Sequence, residues 1–220
     1  MTSGPLEAKA LDSLEPQIGF LIYDDFYYGP DRHPEVSERS MVLKLDPPAI
    51  PREFPSVARS FEVLGHEQAL ADYYWRIVAA ARSRGKDFNQ IRSYFWMRLW
   101  LSQPKDGLSI SFPWYDSLSE MRRFSDAIAS QSVGDLYWDA DQGWGLDVKG
   151  THDRLAIHEH DPDDGGEGLL VSVPRAEFQR RMSAVMQDAE AIVARLAHEL
   201  GVDVWTAYVR DEPRFTRRGS

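Results

Sequence analysis

The chain contains no cysteine in its 220 residues. A disulfide framework, a thiolate metal site and a cysteine nucleophile are thereby excluded, and a reducing compartment is compatible. Asparagine occurs once, at Asn89, so amide-rich recognition is not expected. No stretch approaches the ~20 consecutive apolar residues of a membrane span, and the N-terminus shows no basic start followed by an apolar run. These absences point to a soluble, cytoplasmic chain. Positive charge is also short: the formal net charge is −10. That balance repels a duplex phosphate backbone, so nucleic acid is not an expected partner, whereas a basic protein is. The signatures G-x-G-x-x-G, G-x-x-x-x-G-K, H-E-x-x-H and G-x-S-x-G are all missing, which lowers the expectation of an enzyme without removing it.

What is present is ample core material, with 43% apolar residues and seven tryptophans. Residues 1–16 read as a flexible leader, and 210–220, with Arg214, Arg217 and Arg218, as a flexible basic tail. Between them, 17–209 reads as a single α+β domain or as two packed halves, 17–131 and 132–209. "QIGFLIYDDFYY" and "RSMVLKL" are strand candidates, and the proline-rich "DPPAIPREFP" is an extended loop. Leu70, Tyr74, Ile77, Val78 and Ala81 predict a helix over 67–84. From Ile91 the alternation of Ser93, Phe95, Met97, Leu99 and Leu101 against Arg92, Tyr94, Trp96, Arg98 and Trp100 predicts a strand. This strand turns at Gln103–Gly107 into "LSISF" as a hairpin. The arginines of that strand can lie on its indoles, or the face can pack under a helix with the guanidinium groups reaching solvent.

Asp116 or Ser117 can cap a helix over 118–130. "GDLYWDA", "GWGLDVK", "DRLAIHEH" and "GLLVSV" follow with short turns, which predicts a four-stranded antiparallel meander. A long helix begins after Pro174, carries the stripe Phe178, Met182, Val185, Ala189, Ile192, Leu196 and Leu200, and closes at Gly201. "VDVWTAYV" adds a final short strand. The expectation is α+β: a hairpin and a four-stranded meander of antiparallel sheet against three main helices.

Two constellations carry chemistry. In "AIHEHDPDDGGEG", His158 and His160 project to one face of a strand, about 7 Å apart, the way β-sheet metalloenzymes place two imidazoles round one ion. The stretch resembles the first motif of the cupins, an H-x-H followed by Glu and then Gly. It departs from that pattern in the longer gap from His160 to Glu167 and in having no second histidine motif, so no cupin ligand set or activity is carried over. His158, His160 and Glu167 are the ligands of a metal-binding alternative, whether module or enzyme. The competing reading is a strand end followed by a solvated turn, with no cofactor. "DADQG", Asp139–Gly143, resembles the start of a calcium loop but lacks its later ligands, and reads as a β-turn.

The other constellation interleaves acid with aromatics: Tyr23, Asp24, Asp25, Tyr27, Tyr28 and Asp31, with Asp72 and Tyr73 further on. Tyrosine gives contact area at small entropic cost, and carboxylates steer a basic partner. In composition this is similar to small acidic bacterial immunity proteins, and the resemblance implies a protein-interaction domain that neutralises a basic toxin. A structural domain without a specific binding role is the third reading.

Overall fold

The computed structural model describes residues 8–30, 41–163 and 168–217. In chain order its strands begin with β1 (Lys9–Ala10), β2 (Glu15–Leu21), β3 (Asp25–Tyr27), β4 (Val42–Lys44) and β5 (Val57–Arg59). They continue with β6 (Met97–Gln103), β7 (Leu108–Phe112), β8 (Gly134–Asp141), β9 (Trp144–Gly150), β10 (Arg154–His160) and β11 (Leu169–Pro174). The helices are α1 (Ser60–Val63), α2 (Glu67–Ser83), α3 (Phe88–Ile91), α4 (Leu118–Ala129) and α5 (Arg175–Leu200). This is an α+β architecture with antiparallel-rich sheet. Among the described residues no helix is long and apolar enough to cross a membrane.

Two compact units interleave along the chain instead of dividing it near residue 131. One comprises Met1–Pro16, Trp100–Phe112 and Met121–Met186, the other Gln17–Leu99, Pro113–Glu120 and Gln187–Ser220.

The first unit is built on a five-stranded sheet in the order β1-β11-β10-β9-β8. Its centre is the expected meander, antiparallel throughout because each connection is short. Leu146, Val148, Leu155, Ile157, Val171 and Val173 alternate inward and are fully buried. Phe124 of α4 packs on this side with Phe112 at 4.9 Å and Tyr137 at 5.3 Å between ring centroids. The expected leader contributes an edge strand: Lys9 and Ala10 pair in parallel with Val171 and Ser172, and Leu11 and Leu14 are buried. Apolar side chains at 11 and 14 supply the burial that residues 8–16 need to leave solvent.

In the second unit β5 pairs antiparallel with β2, β3 pairs with β4, and the core is aromatic. Tyr74 of α2 stacks on Phe95 at 4.9 Å and meets Trp205 at 5.1 Å, while Phe88 and Phe215 close on Phe95. The expected strand from Ile91 starts only at Met97. The Asp87 side chain accepts the Gln90 N–H, and the Gln90 side chain accepts the Asp87 N–H. This reciprocal cap starts α3, and a 3-10 turn over Arg92–Phe95 follows before the strand can begin. The expected last strand is likewise irregular, because Asp203 accepts the N–H groups of both Trp205 and Thr206. Beyond it the tail is packed as far as it is described: Phe215 is buried, Thr216 donates to the Leu200 carbonyl, and Arg217 pairs with Asp72 at 2.8 Å.

Arg175, at the start of α5, is only 2% exposed. Its guanidinium donates to the carbonyls of Ser130, Ser132 and Thr151, tying the end of α4 to the β9–β10 connection. Charge-assisted hydrogen bonds of this kind contribute more than neutral ones. Arg175→Met keeps the bulk and removes the donors. Its expected cost is about 2–3 kcal/mol in urea unfolding; a loss under about 0.5 kcal/mol contradicts the role.

Candidate metal centre

β8 and β9 are joined by the two residues Gln142 and Gly143, with φ of 41° and 80°. Both lie in the left-handed region, which is the geometry of a tight hairpin turn whose twist matches the strands it joins. "DADQG" is thus a hairpin corner. The register it sets runs into β9, and the next connection pairs Gly150 with Leu155, Asp147 with His158 and Gly145 with His160. Since Leu155 and Ile157 point into the core, His158 and His160 point to the other face, and Asp147 stands beside them.

There the three side chains converge. Asp147 Oδ2 is 2.9 Å from His160 Nε2 and 3.9 Å from His158 Nδ1. The two imidazoles stack at 4.8 Å between centroids and 27° between planes. One donor atom from each of Asp147, His158 and His160 lies within 4.8 Å of the others. The side chains are 35%, 26% and 16% exposed respectively, so the group is partly sheltered yet open on one side.

His160 sits over Gly145. A Cβ built there meets His160 Cε1 at 2.7 Å, so the ring occupies the space that any other residue's side chain needs. His158 has a different peculiarity. Its Nε2 is buried without a hydrogen-bond partner among the described residues, and its Nδ1 is too far from Asp147 for a hydrogen bond. Burial, together with His160 beside it, holds its pKa below the usual histidine value despite Asp147. Both effects favour the neutral imidazole, the form in which histidine ligates a metal.

Two imidazoles and one carboxylate suit a borderline divalent ion such as Zn²⁺. Bonds of about 2.0–2.2 Å to such an ion put tetrahedral donors about 3.3–3.6 Å apart, within the range of 2.9 Å to 4.8 Å that the donor atoms span. Glu159, between the histidines in sequence, is on the core face, where its carboxylate accepts from Trp144 Nε1 at 3.1 Å; burial raises its pKa. Glu167 lies outside the described residues. Asp147 was not singled out from sequence, because its contribution depends on cross-strand register.

The acidic–aromatic residues fall in the second unit. Tyr73 is fully buried. Its hydroxyl accepts the Tyr23 N–H at 2.7 Å and donates to the Tyr23 carbonyl at 3.1 Å, so it serves the peptide of Tyr23 and offers no contact area. Tyr23 packs on Tyr94 at 4.8 Å. Tyr27 donates its hydroxyl to the Pro30 carbonyl, and Arg84 lies over the Tyr28 ring at 4.4 Å. Asp25 is half-buried on β3, while the Asp24 carboxylate is 82% exposed, near Lys44. Asp72 is held by Arg217 and Gln68, and Asp31 lies outside the described residues.

No protein-family model, curated protein or solved structure matches the chain.

Removing the Tyr73 hydroxyl leaves both polar groups of the Tyr23 peptide without that partner. Tyr73→Phe is expected to cost about 1–3 kcal/mol in denaturant unfolding; an unchanged midpoint contradicts the structural role.

Proposed function

We propose that the protein binds a divalent transition-metal ion through Asp147, His158 and His160. The observation that supports this most strongly is the convergence of two imidazoles and a carboxylate on one sheet face, with Gly145 leaving room for the His160 ring. Three protein ligands leave at least one coordination position open. That pattern suits an exchangeable or chemically active ion better than a closed structural site. When bound, the ion supplies a Lewis acid on the sheet surface. The chain's part is to hold the donors: the strand register fixes their spacing, and Glu159 stays on the opposite face.

Isothermal titration calorimetry with Zn²⁺, Ni²⁺ and Co²⁺ tests the reading. One ion per chain is expected, with binding abolished in the His158→Ala, His160→Ala double variant and in Asp147→Asn. Gly145→Ala, which displaces the His160 ring, is expected to weaken binding about 10-fold or more. Absence of stoichiometric binding, or binding that survives the histidine changes, removes the proposal.

The exposed carboxylate of Asp24 beside Asp25, Tyr27 and Tyr28 favours a second reading, a steering surface for a basic protein partner of the toxin-neutralising kind. In that reading, Asp24→Lys with Asp25→Lys slows association with the partner about 10-fold at low salt; an unchanged on-rate contradicts it.

A further inference from the structure

The second unit carries an open cleft of about 820 Å³ lined by Asn89, Arg92, Ser93, Trp96, Tyr208 and Arg210. In a chain of net charge −10, two arginines share this one cleft. Neither makes an ion pair with a described residue. Two guanidinium groups lining one cleft favour an anion there, and each offers a planar fork of donors that fits phosphate or carboxylate.

Arg92 is set in place before any ligand arrives. It donates to Asn89 Oδ1 at 2.5 Å, and its guanidinium carbon lies 3.8 Å from the Tyr208 ring centroid and 5.3 Å from that of Phe88. Held by two rings and an amide, the side chain has little rotamer freedom left to lose on binding. Arg98, by contrast, is already used: it lies over Trp96 and pairs with Asp116.

A smaller recess of about 100 Å³ shares Arg92, Trp96 and Tyr208 with the cleft and continues to Phe95, Val204 and Ala207. It is also lined by two carboxylates, both engaged: Asp116 pairs with Arg98, and Glu120 accepts from the N–H groups of Asp116 and Ser117 and from the Ser117 hydroxyl. The recess therefore presents mainly ring and aliphatic surface beside the guanidinium groups. Its size is that of one small ring.

We propose that this cleft binds a small planar aryl anion, its phosphate or carboxylate between Arg92 and Arg210 and its ring in the recess against Trp96 and Tyr208. The site is independent of the metal centre and uses none of its residues.

The minimal probe is phenyl phosphate, with inorganic phosphate (charge without ring) and phenol (ring without charge) as controls. Binding is followed by indole N–H resonances in the presence of EDTA, with Trp96 assigned by its loss in Trp96→Phe. Phenyl phosphate is expected to shift Trp96 saturably with a Kd of about 0.1–1 mM, weakening as salt is raised. Each control should bind at least about 10-fold more weakly, as should Arg92→Gln and Arg210→Gln for the probe. Arg210 is exposed, so its change leaves the fold intact even where that of Arg92 disturbs the stack. The His158→Ala, His160→Ala variant should bind the probe as the parent does. No saturable shift with phenyl phosphate overturns the proposal. So does equal binding of inorganic phosphate, or binding indifferent to both arginine changes.

Discussion

The antiparallel register of β9 against β10 is the constraint on which the first unit depends. Side chains alternate across a strand, so the pairing that seats Leu155 and Ile157 opposite Gly150 and Val148 in the core also sends His158 and His160 outward beside Asp147. Slipping the register by one residue exchanges the faces, burying the imidazoles and exposing Leu155 and Ile157. Full burial of each such aliphatic side chain contributes about 1.5–3 kcal/mol. The hydrophobic face thus enforces the geometry of the polar one, and no separate device is needed to hold the donors.

The polar face carries its own signs of fit. An ordinary surface histidine points into water and satisfies both nitrogens there. His158 instead has a buried nitrogen without a partner among the described residues, stacks on a second imidazole, and stands near a carboxylate that His160 already engages. Such an arrangement gives up solvation without recovering it in hydrogen bonds. On the proposed reading, a cation takes one donor atom from each of the three side chains. The second unit shows a parallel logic with the charges reversed, where Arg92 lies against the Phe88 and Tyr208 rings and makes no ion pair among the described residues.

Much of this was legible in the sequence. Strict alternation in "DRLAIHEH" and "GWGLDVK", with turn residues between, fixed the meander and put His158 and His160 on one face. The fold class and the long stripe of α5 followed from periodicity alone. Asp147 could have been found by counting back from Gly150 opposite Leu155, three steps along each strand, once the connection length was known. Other features rested on interactions with no periodic signature. The Asp87–Gln90 cap replaced a predicted strand start with a helical turn, and Asp203 bent the segment around Trp205. Tyr73 and Asp72 are neighbours in sequence but on different faces of α2, so composition could not separate the buried ring from the ion-paired carboxylate. Segments 8–16 and 211–217 looked like free ends because their few apolar residues gain meaning only from the surfaces that receive them.

The most direct test of the metal centre is anomalous diffraction at the zinc edge from crystals grown with Zn²⁺. A single strong peak within about 2.0–2.2 Å of Asp147, His158 and His160 donor atoms is the result this account predicts. A peak at other residues, or an Asp147–His160 hydrogen bond that persists with no peak beside it, contradicts it.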